Sequence, residues 1–439
     1  MAKFSCPAKF IAIVRQFHDG MKARVQDGSE YSEPFLVTNG VKQGCVLTPT
    51  LFSMVFSTML SDAFRDGDIG VSFRYHTDGS LFNLRRLQAK TKVHEDTARD
   101  FLLADDCALN ASRESDMQES MDLFAKACDN FGLTISTKKI EVMHQPAPAA
   151  PYTEPNITIN SQRLTVDKFV YPDSTLSRSI NIDKEVAYRL ARASAAFGRL
   201  TDQVWERRGL RLETKLKVYR AVVIPSLLYA SETWTVYSRH AKQLNAFHMR
   251  CLRTLLRIRW QDKVPDTEVL QRAESESIHV ILLHSQLRWA DHVQRMDDSR
   301  LPKRLLYGEL TAGQRSLGRP KKRYKDSLKE SLKRCDIPYS TWEASANDCP
   351  AWCSLVSAGV LAFEANCIHE KDQIRQRRNE RSSNPKPVQP PESPARIATD
   401  TFARRLGSSA ISAPTLLPSD MKSWSSLPAK DEHHHHHHH

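Results

Sequence analysis

A chain of 439 residues with 40% hydrophobic content can hold two or three domains that each bury a core. Its nine cysteines, odd in number and scattered, do not resemble a secreted disulfide framework. The net charge of +12 is unevenly placed: residues 187–336 carry 31 Lys and Arg against 16 Asp and Glu, a local excess that fits either solvated helix faces or a polyanion partner, nucleic acid before membrane. No apolar run approaches the roughly 18 to 20 residues of a membrane span, and the N-terminus lacks an apolar signal core. A soluble intracellular protein, nuclear or cytoplasmic and with no membrane partner, is therefore expected. The terminal run His433–His439 looks like an expression tag and enters no argument about metal or charge.

In chain order, Phe10, Ile11, Val14 and Phe17 recur at helical spacing and predict a helix that Asp19-Gly20 stops. Short strands follow at 22–26 and 34–38, joined through Asp27-Gly28-Ser29. A strongly apolar helix is expected over 50–64, with Pro49 suited to its first turn. Residues 71–75 and 81–84 read as a two-stranded ribbon. An apolar hairpin over 101–110 then carries Asp105-Asp106 at its bend. A helix over 115–131 stops at Gly132, and Leu133-Thr134-Ile135-Ser136 reads as a strand. Beyond the Pro-rich loop 145–155 come strands at 157–159 and 168–171. From residue 183 the pattern turns helical, at 183–205, 212–223, 227–237 and 241–258, with Pro225 separating the second from the third. Further helices are predicted at 267–272, 278–296, 302–310, 324–334 and 342–380. The Pro- and Ser-rich residues past 381 read as a disordered extension.

Two adjacent acids in an apolar hairpin repel each other and lose hydration if buried, so a cation or strong donor would have to offset them. Magnesium could do so, taking carboxylate and phosphate oxygens together. Solvated turn residues are the alternative for Asp105 and Asp106.

Around this pair the sequence resembles the reverse transcriptases of non-LTR (LINE-type) retrotransposons, which carry an Ala-Asp-Asp here. Three further blocks stand in the family's order: Gly40-Val41-Lys42-Gln43-Gly44-Cys45-Val46-Leu47-Thr48-Pro49, then Asn130-Phe131-Gly132-Leu133 running to Glu141, then Lys168-Phe169-Val170-Tyr171. Similar segments continue through Tyr229-Ala230-Ser231-Glu232-Thr233-Trp234 and Gln286-Leu287-Arg288-Trp289-Ala290, so the resemblance covers about residues 1–380.

The resemblance implies an α/β fold. Residues 1–175 would form a partial polymerase palm, an RRM-like antiparallel sheet with helices, followed by a helical thumb or connection over 176–260. A basic helical C-terminal domain would occupy 261–380, and a disordered tail with the histidine tag 381–439. It implies RNA-directed DNA polymerisation, with an RNA template, a DNA primer, deoxynucleotides and Mg2+ held by Asp105 and Asp106. Gln43 and Gly44 would meet the templating base and incoming nucleotide. Lys139 or its neighbour Lys138 would approach the triphosphate, and Tyr171 would grip the primer end.

Two departures accompany it. The family's third aspartate, on an upstream strand, has no counterpart here, so catalysis is expected to be impaired unless a partner chain supplies the missing palm elements. A non-catalytic nucleic-acid-binding remnant is the alternative. Pro172 also follows Tyr171 where the family has Leu-Gly, which changes the turn.

Outside these blocks, Arg315, Arg319, Lys321, Lys322, Arg323 and Lys325 form a dense cationic loop suited to phosphates or nuclear import. Cys349, Cys353, Cys367 and His369 are zinc-ligand types but lack a compact loop between them. Trp205, Trp234, Trp260 and Trp289 sit in apolar periodic stretches and are expected in the core, with base stacking as the alternative.

Overall fold

The computed structural model describes residues 1–38, 44–65, 69–104, 106–146, 151–159, 162–164, 168–170, 174–312, 318 and 320–383. Helix α1 (Ala8–His18) ends before Gly20, whose φ of +68° only glycine adopts without strain. Strand β1 (Lys22–Ala23) pairs with β4 (Phe35–Leu36), and between them β2 (Gln26–Asp27) pairs with β3 (Glu30–Tyr31). Helix α2 (Thr48–Ala63) has Pro49 in its first turn, where a missing N–H costs nothing. Then come β5 (Val71–Tyr75), β6 (His94–Ala98), β7 (Asp100–Leu103), β8 (Asp106–Leu109) and helix α3 (Glu114–Asn130), stopped at Gly132. Strands β9 (Ile157–Ile159) and β10 (Gln162–Leu164) form one antiparallel pair, β11 (Lys168–Val170) and β12 (Thr175–Ser177) another.

The second half is helical: α4 (Asp183–Arg199), α5 (Leu212–Val218), α6 (Ile224–Leu228), α7 (Ser238–Leu255), α8 (Asp266–Arg272), α9 (Ile278–Gln294), α10 (Leu301–Tyr307), α11 (Tyr324–Arg334), α12 (Trp342–Ala346) and α13 (Cys349–Ser383). Strand β13 (Glu309–Leu310) interrupts them. One compact unit spans Met1–Gln376. A second spans Arg377–His439, of which the described part is the last turns of α13.

The result is a mixture of helices and small antiparallel sheets, and it departs from expectation where distant segments compete with local ones. Residues 71–75 pair not with 81–84 but with β6 on one edge and with β13 on the other, more than 230 residues away. Gly308 makes that approach possible: a Cβ there would lie 2.8 Å from the Arg304 carbonyl oxygen and 2.9 Å from the Phe73 ring. Leu81, expected in a strand, is instead fully buried among the C-terminal helices. Among the described residues the strands form separate hairpins and one three-stranded sheet rather than one RRM-like sheet. Residues 133–136 form no strand, because Leu133 closes the end of α3 by donating its N–H to the Cys128 carbonyl.

Pro225 does not break the chain as predicted. A π turn over Tyr219–Val223 joins α5 to α6, and this wider turn accommodates the backbone donor that proline lacks. The helix expected over 227–237 fails instead, ending at Leu228 before Ala230 turns left-handed (φ +59°). The predicted helix 302–310 likewise stops at Tyr307, since β5 recruits Glu309 and Leu310.

Two large apolar clusters hold the helical half. One gathers Trp205, Tyr219, Leu227, Trp234, Leu244 and Leu252; the other Leu287, Tyr307, Leu332, Trp342, Trp352 and Val356. Glu343 ties the N-terminal half to the second cluster, accepting hydrogen bonds from the Ser80 and Leu81 amides (2.7 and 2.8 Å) and the Tyr307 hydroxyl (2.6 Å). At the other junction, the buried Glu185 accepts the Thr175 amide (2.5 Å) and pairs with the equally buried Arg189 at 2.7 Å. Such a pair offsets its own desolvation only because both ions are bonded.

The expectation that no segment could cross a membrane needs correcting. Among the described residues, helix α13 over Cys349–Glu380 holds an 18-residue stretch long and apolar enough to cross a membrane, by length and composition alone. Trp352, Val356 and Val360 nonetheless commit one face of it to the second cluster.

Candidate functional site

Strands β7 and β8 pair in register from Asp100↔Leu109 to Leu103↔Asp106. At the closed base, the Arg99 guanidinium lies 4.7 Å from the Phe64 ring centre and donates to the Phe64 carbonyl (3.1 Å), while the Asn110 amide donates to the Arg99 carbonyl (2.6 Å). Behind the hairpin, Cys107 and Leu109 pack on Phe56, Met59 and Leu60 of α2 and Ala127 and Cys128 of α3. At the open end Ala104 takes a left-handed φ of +54° and Asp106 is exposed, as are Leu102 and Leu103.

The tip is not buried, so water screens Asp106 and desolvation does not by itself demand a cation there. Asp105 lies outside the described residues, as do Gln43, Tyr171, Arg315 and Arg319. Burial pushes the neighbouring Cys107 thiol up to about 12, with Asp100 adding to the effect. The thiol stays protonated and is no nucleophile.

Lys138 and Lys139 are exposed on a 3-10 turn, Thr137–Lys139. Ile135 before that turn joins the cluster under β8, while Ile140 and Val142 after it pack beside Leu109 and Met121. The lysines and the carboxylate hairpin thus share one platform. Gly44 is exposed at φ +83°, and a Cβ there would meet nothing.

A divalent ion takes six or more oxygens, several usually from protein. Among the described residues no three His, Cys, Asp or Glu side chains converge to hold one. Asp106 supplies a single carboxylate, so the described residues do not fit a complete metal site.

The cationic loop is less available than its sequence suggests. Lys325 is buried, its ammonium donating to the Gly308 carbonyl (2.7 Å) and reaching Glu309 (3.1 Å), and burial holds its pKa below the usual lysine value. Arg323 pairs with Glu309 at 2.9 Å, and Lys321 donates to the Ser179 carbonyl at 2.8 Å. Lys322 pairs with Glu330 at 2.7 Å and stays half exposed.

Trp205 and Trp234 are buried as expected, and Trp289 packs beside the second cluster. Trp260 is not in the core: it is 83% exposed on the turn Trp260–Asp262, between the exposed Arg257, Arg259 and Lys263. The sequence held a signal for this, since Gln261-Asp262-Lys263 directly after Trp260 offers no apolar neighbour.

A hairpin with Asp106 near its tip thus lies on two helices, and a basic helical half follows it. Residues 1–171 match the reverse transcriptase (RNA-dependent DNA polymerase) family. The chain is 24% identical over 274 residues to an uncharacterised transposon-derived protein of Caenorhabditis elegans, covering 58% of this chain and 93% of that one. It is 23% identical over 279 residues to the RNA-directed DNA polymerase from mobile element jockey of Drosophila funebris, covering 61% of this chain and 27% of that polymerase. The same element of Drosophila melanogaster gives 21% over 275 residues, again 27% of its length. These similarities support a reverse transcriptase of a non-LTR retrotransposon. The chain spans about a quarter of the jockey polymerases that it matches.

Proposed function

We propose that the chain is the template- and primer-binding part of a retrotransposon RNA-directed DNA polymerase, and that it transfers nucleotides poorly by itself. In this reading residues 1–175 are a partial palm, 176–260 a thumb or connection, and 261–380 a basic C-terminal domain. The observation that carries it is the hairpin of β7 and β8, which presents Asp106 to solvent on a firm base where phosphates can approach. Asp105 and Asp106 would hold the divalent ion that reverse transcriptases generally use, Mg2+ in our reading, and such an ion neutralises charge on substrate phosphates. Lys139, with Lys138 beside it, faces the triphosphate; Gln43 and Gly44 meet the templating base and nucleotide; Tyr171 holds the primer end.

Transfer is weak in this proposal because the described residues bring no third acidic donor to Asp106. A partner chain with the remaining palm elements would restore it. Trp260 and the cations around it favour the companion reading of nucleic-acid binding without catalysis, since an exposed indole among arginines is a base-stacking platform.

A primer-extension assay on an RNA template, with Mg2+ and deoxynucleotides, tests this beside an Asp105→Ala, Asp106→Ala double variant. The expected result is a salt-sensitive mobility shift of the primer–template, the same for both proteins, and no extension by either. Extension by the unaltered chain that vanishes in the double variant would overturn the impaired reading.

A further inference from the structure

Residues 233–261 hold six Lys and Arg and no Asp or Glu. Most of that stretch is α7, whose Leu244, Phe247, Cys251 and Leu252 join the first apolar cluster. Its outer line steps one turn at a time through Lys242, Ala246, Arg250 and Thr254, all exposed. Two of the six cations are committed within the fold, Arg239 to Asp183 (2.7 Å) and Arg253 to Asp266 (2.6 Å). The other four, Lys242, Arg250, Arg257 and Arg259, are exposed, and none pairs with a carboxylate among the described residues.

The backbone holds cations here at a cost. Helix α7 closes with the Ile258 amide donating to the Arg253 carbonyl (2.9 Å) and the Arg257 amide to the Thr254 carbonyl (3.2 Å), which puts Arg257 in the left-handed region at φ +55°. Lys263, exposed at φ +49°, does the same after the turn Trp260–Asp262. Glycine is the residue that such positions favour, and a residue with a Cβ is strained there. A cation at both strained positions, one on each side of Trp260, is not explained by the fold and points to a use for the charges. Between them the indole of Trp260 is 83% exposed and meets no other ring among the described residues. The neighbouring Asp262 carboxylate turns back to accept the Arg259 amide (2.7 Å).

Cations spaced along a helix can meet successive phosphates. An outward indole stacks on a base only if that base's own face is free, which it is in a single strand and is not within a duplex. We propose that α7 and the turn after it form a track for single-stranded nucleic acid, with phosphates along Lys242, Arg250, Arg257 and Arg259 and an unpaired base stacked on Trp260. That the partner is nucleic acid rests on the function proposed above. The unpaired state of the strand, and its place on the first apolar cluster rather than on the platform of β7 and β8, go beyond it.

Fluorescence anisotropy on the full chain, with labelled RNA and DNA oligonucleotides offered as single strands and as the matching duplex, tests the track. Trp260→Ala is expected to weaken single-strand binding about fivefold to a hundredfold, the span of one lost base stack, and to leave the salt dependence and duplex binding unchanged. Arg257→Gly removes a phosphate contact and the left-handed strain together. Binding should weaken and its salt slope fall by about 0.7, while the melting temperature rises. Those opposite signs separate a binding residue from a structural one, and the tighter of RNA and DNA names the sugar. No single-strand binding by the unaltered chain, or single-strand binding unchanged in both variants, would overturn the track. An equal loss for duplex and single strand in Trp260→Ala would overturn base stacking. If the variants lose single strands but the unaltered chain fails to shift a primer–template, the track stands and the polymerase reading fails.

Discussion

Helices between residues 183 and 360 enclose two large apolar clusters, the second of them joined by Leu81 and Phe82, whereas the rest of residues 1–177 share two small ones built on α2, α3 and β9. The N-terminal stretch leaves Phe17, Val25, Tyr31, Leu36, Val46 and Leu103 exposed, Val46 at 93%. Single exposed apolar residues are ordinary, and the helical half has them too, Trp260, Leu310 and Leu361 among them. The difference lies in how much apolar surface each part buries, large in the helical half and small in the hairpin half. The carboxylate hairpin lies in the first part, the basic surface in the second.

The largest expected effect breaks the strong half. Trp342 is fully buried, 6.2 Å from the Trp352 ring and 6.4 Å from Phe82, so Trp342→Ala should cost about 3–5 kcal/mol, read by urea unfolding. Because Phe82 and Leu81 share that cluster, the β5–β6 sheet should loosen with it, visible as earlier proteolysis near residue 90. Intact N-terminal protection in a destabilised variant would show the halves to be independent.

Acid should act next, and on the same half. His248 is buried, accepts the Tyr219 hydroxyl proton at Nδ1 (2.8 Å) and faces the Glu276 carbonyl with Nε2 (3.2 Å), an arrangement that fits the neutral ring. Burial lowers its pKa from 6.5 to about 4. The unfolded chain therefore takes up a proton that the fold refuses, so stability is full above pH 6.5 and falls between pH 6.5 and 4. The loss is about 3 kcal/mol at 1.36 kcal/mol per unit. Melting curves over that range check this. A His248→Gln variant should be less stable at pH 7 but lose this component of the slope.

Smaller still, Trp260→Ala should weaken single-stranded RNA binding by roughly 1–3 kcal/mol and move the melting point little, since the indole packs on nothing buried. Unchanged RNA binding would remove Trp260 from the interface. Least of all, Asp106→Asn should alter stability by no more than about 0.5 kcal/mol, because the carboxylate is exposed. A larger change, measured by thermal melt, would mean that the hairpin tip carries structural weight.

The helical half was the more legible in sequence. Helix α11 falls at its predicted residues because the Asp326 carboxylate accepts the Arg323 backbone N–H at its start (3.0 Å) and its apolar period is unbroken. The Pro225 region was misread because a π turn leaves no compositional trace. The partners of β5 could not be read either, since its pairing with Leu310 and the burial of Leu81 depend on contacts far along the chain. At the candidate site, the order of the motif blocks singled out Asp106, Gly44, Lys138 and Lys139 as candidates, whereas the exposure of the hairpin tip and the engagement of Lys325 with Gly308 and Glu309 followed from packing. Trp260 shows the reverse error, where residue type outweighed the polar neighbours that follow it.

Glu343 and β13 have a consequence for synthesis. The loop at Ser80–Leu81 and the free edge of β5 are completed by residues that leave the ribosome more than 200 positions later. At about 5–20 residues per second the nascent chain carries that unfinished edge for on the order of tens of seconds. During that interval an open strand can pair with whatever reaches it first, so the order of translation, and any chaperone bound to the early segment, bears on how much of the chain reaches its native state.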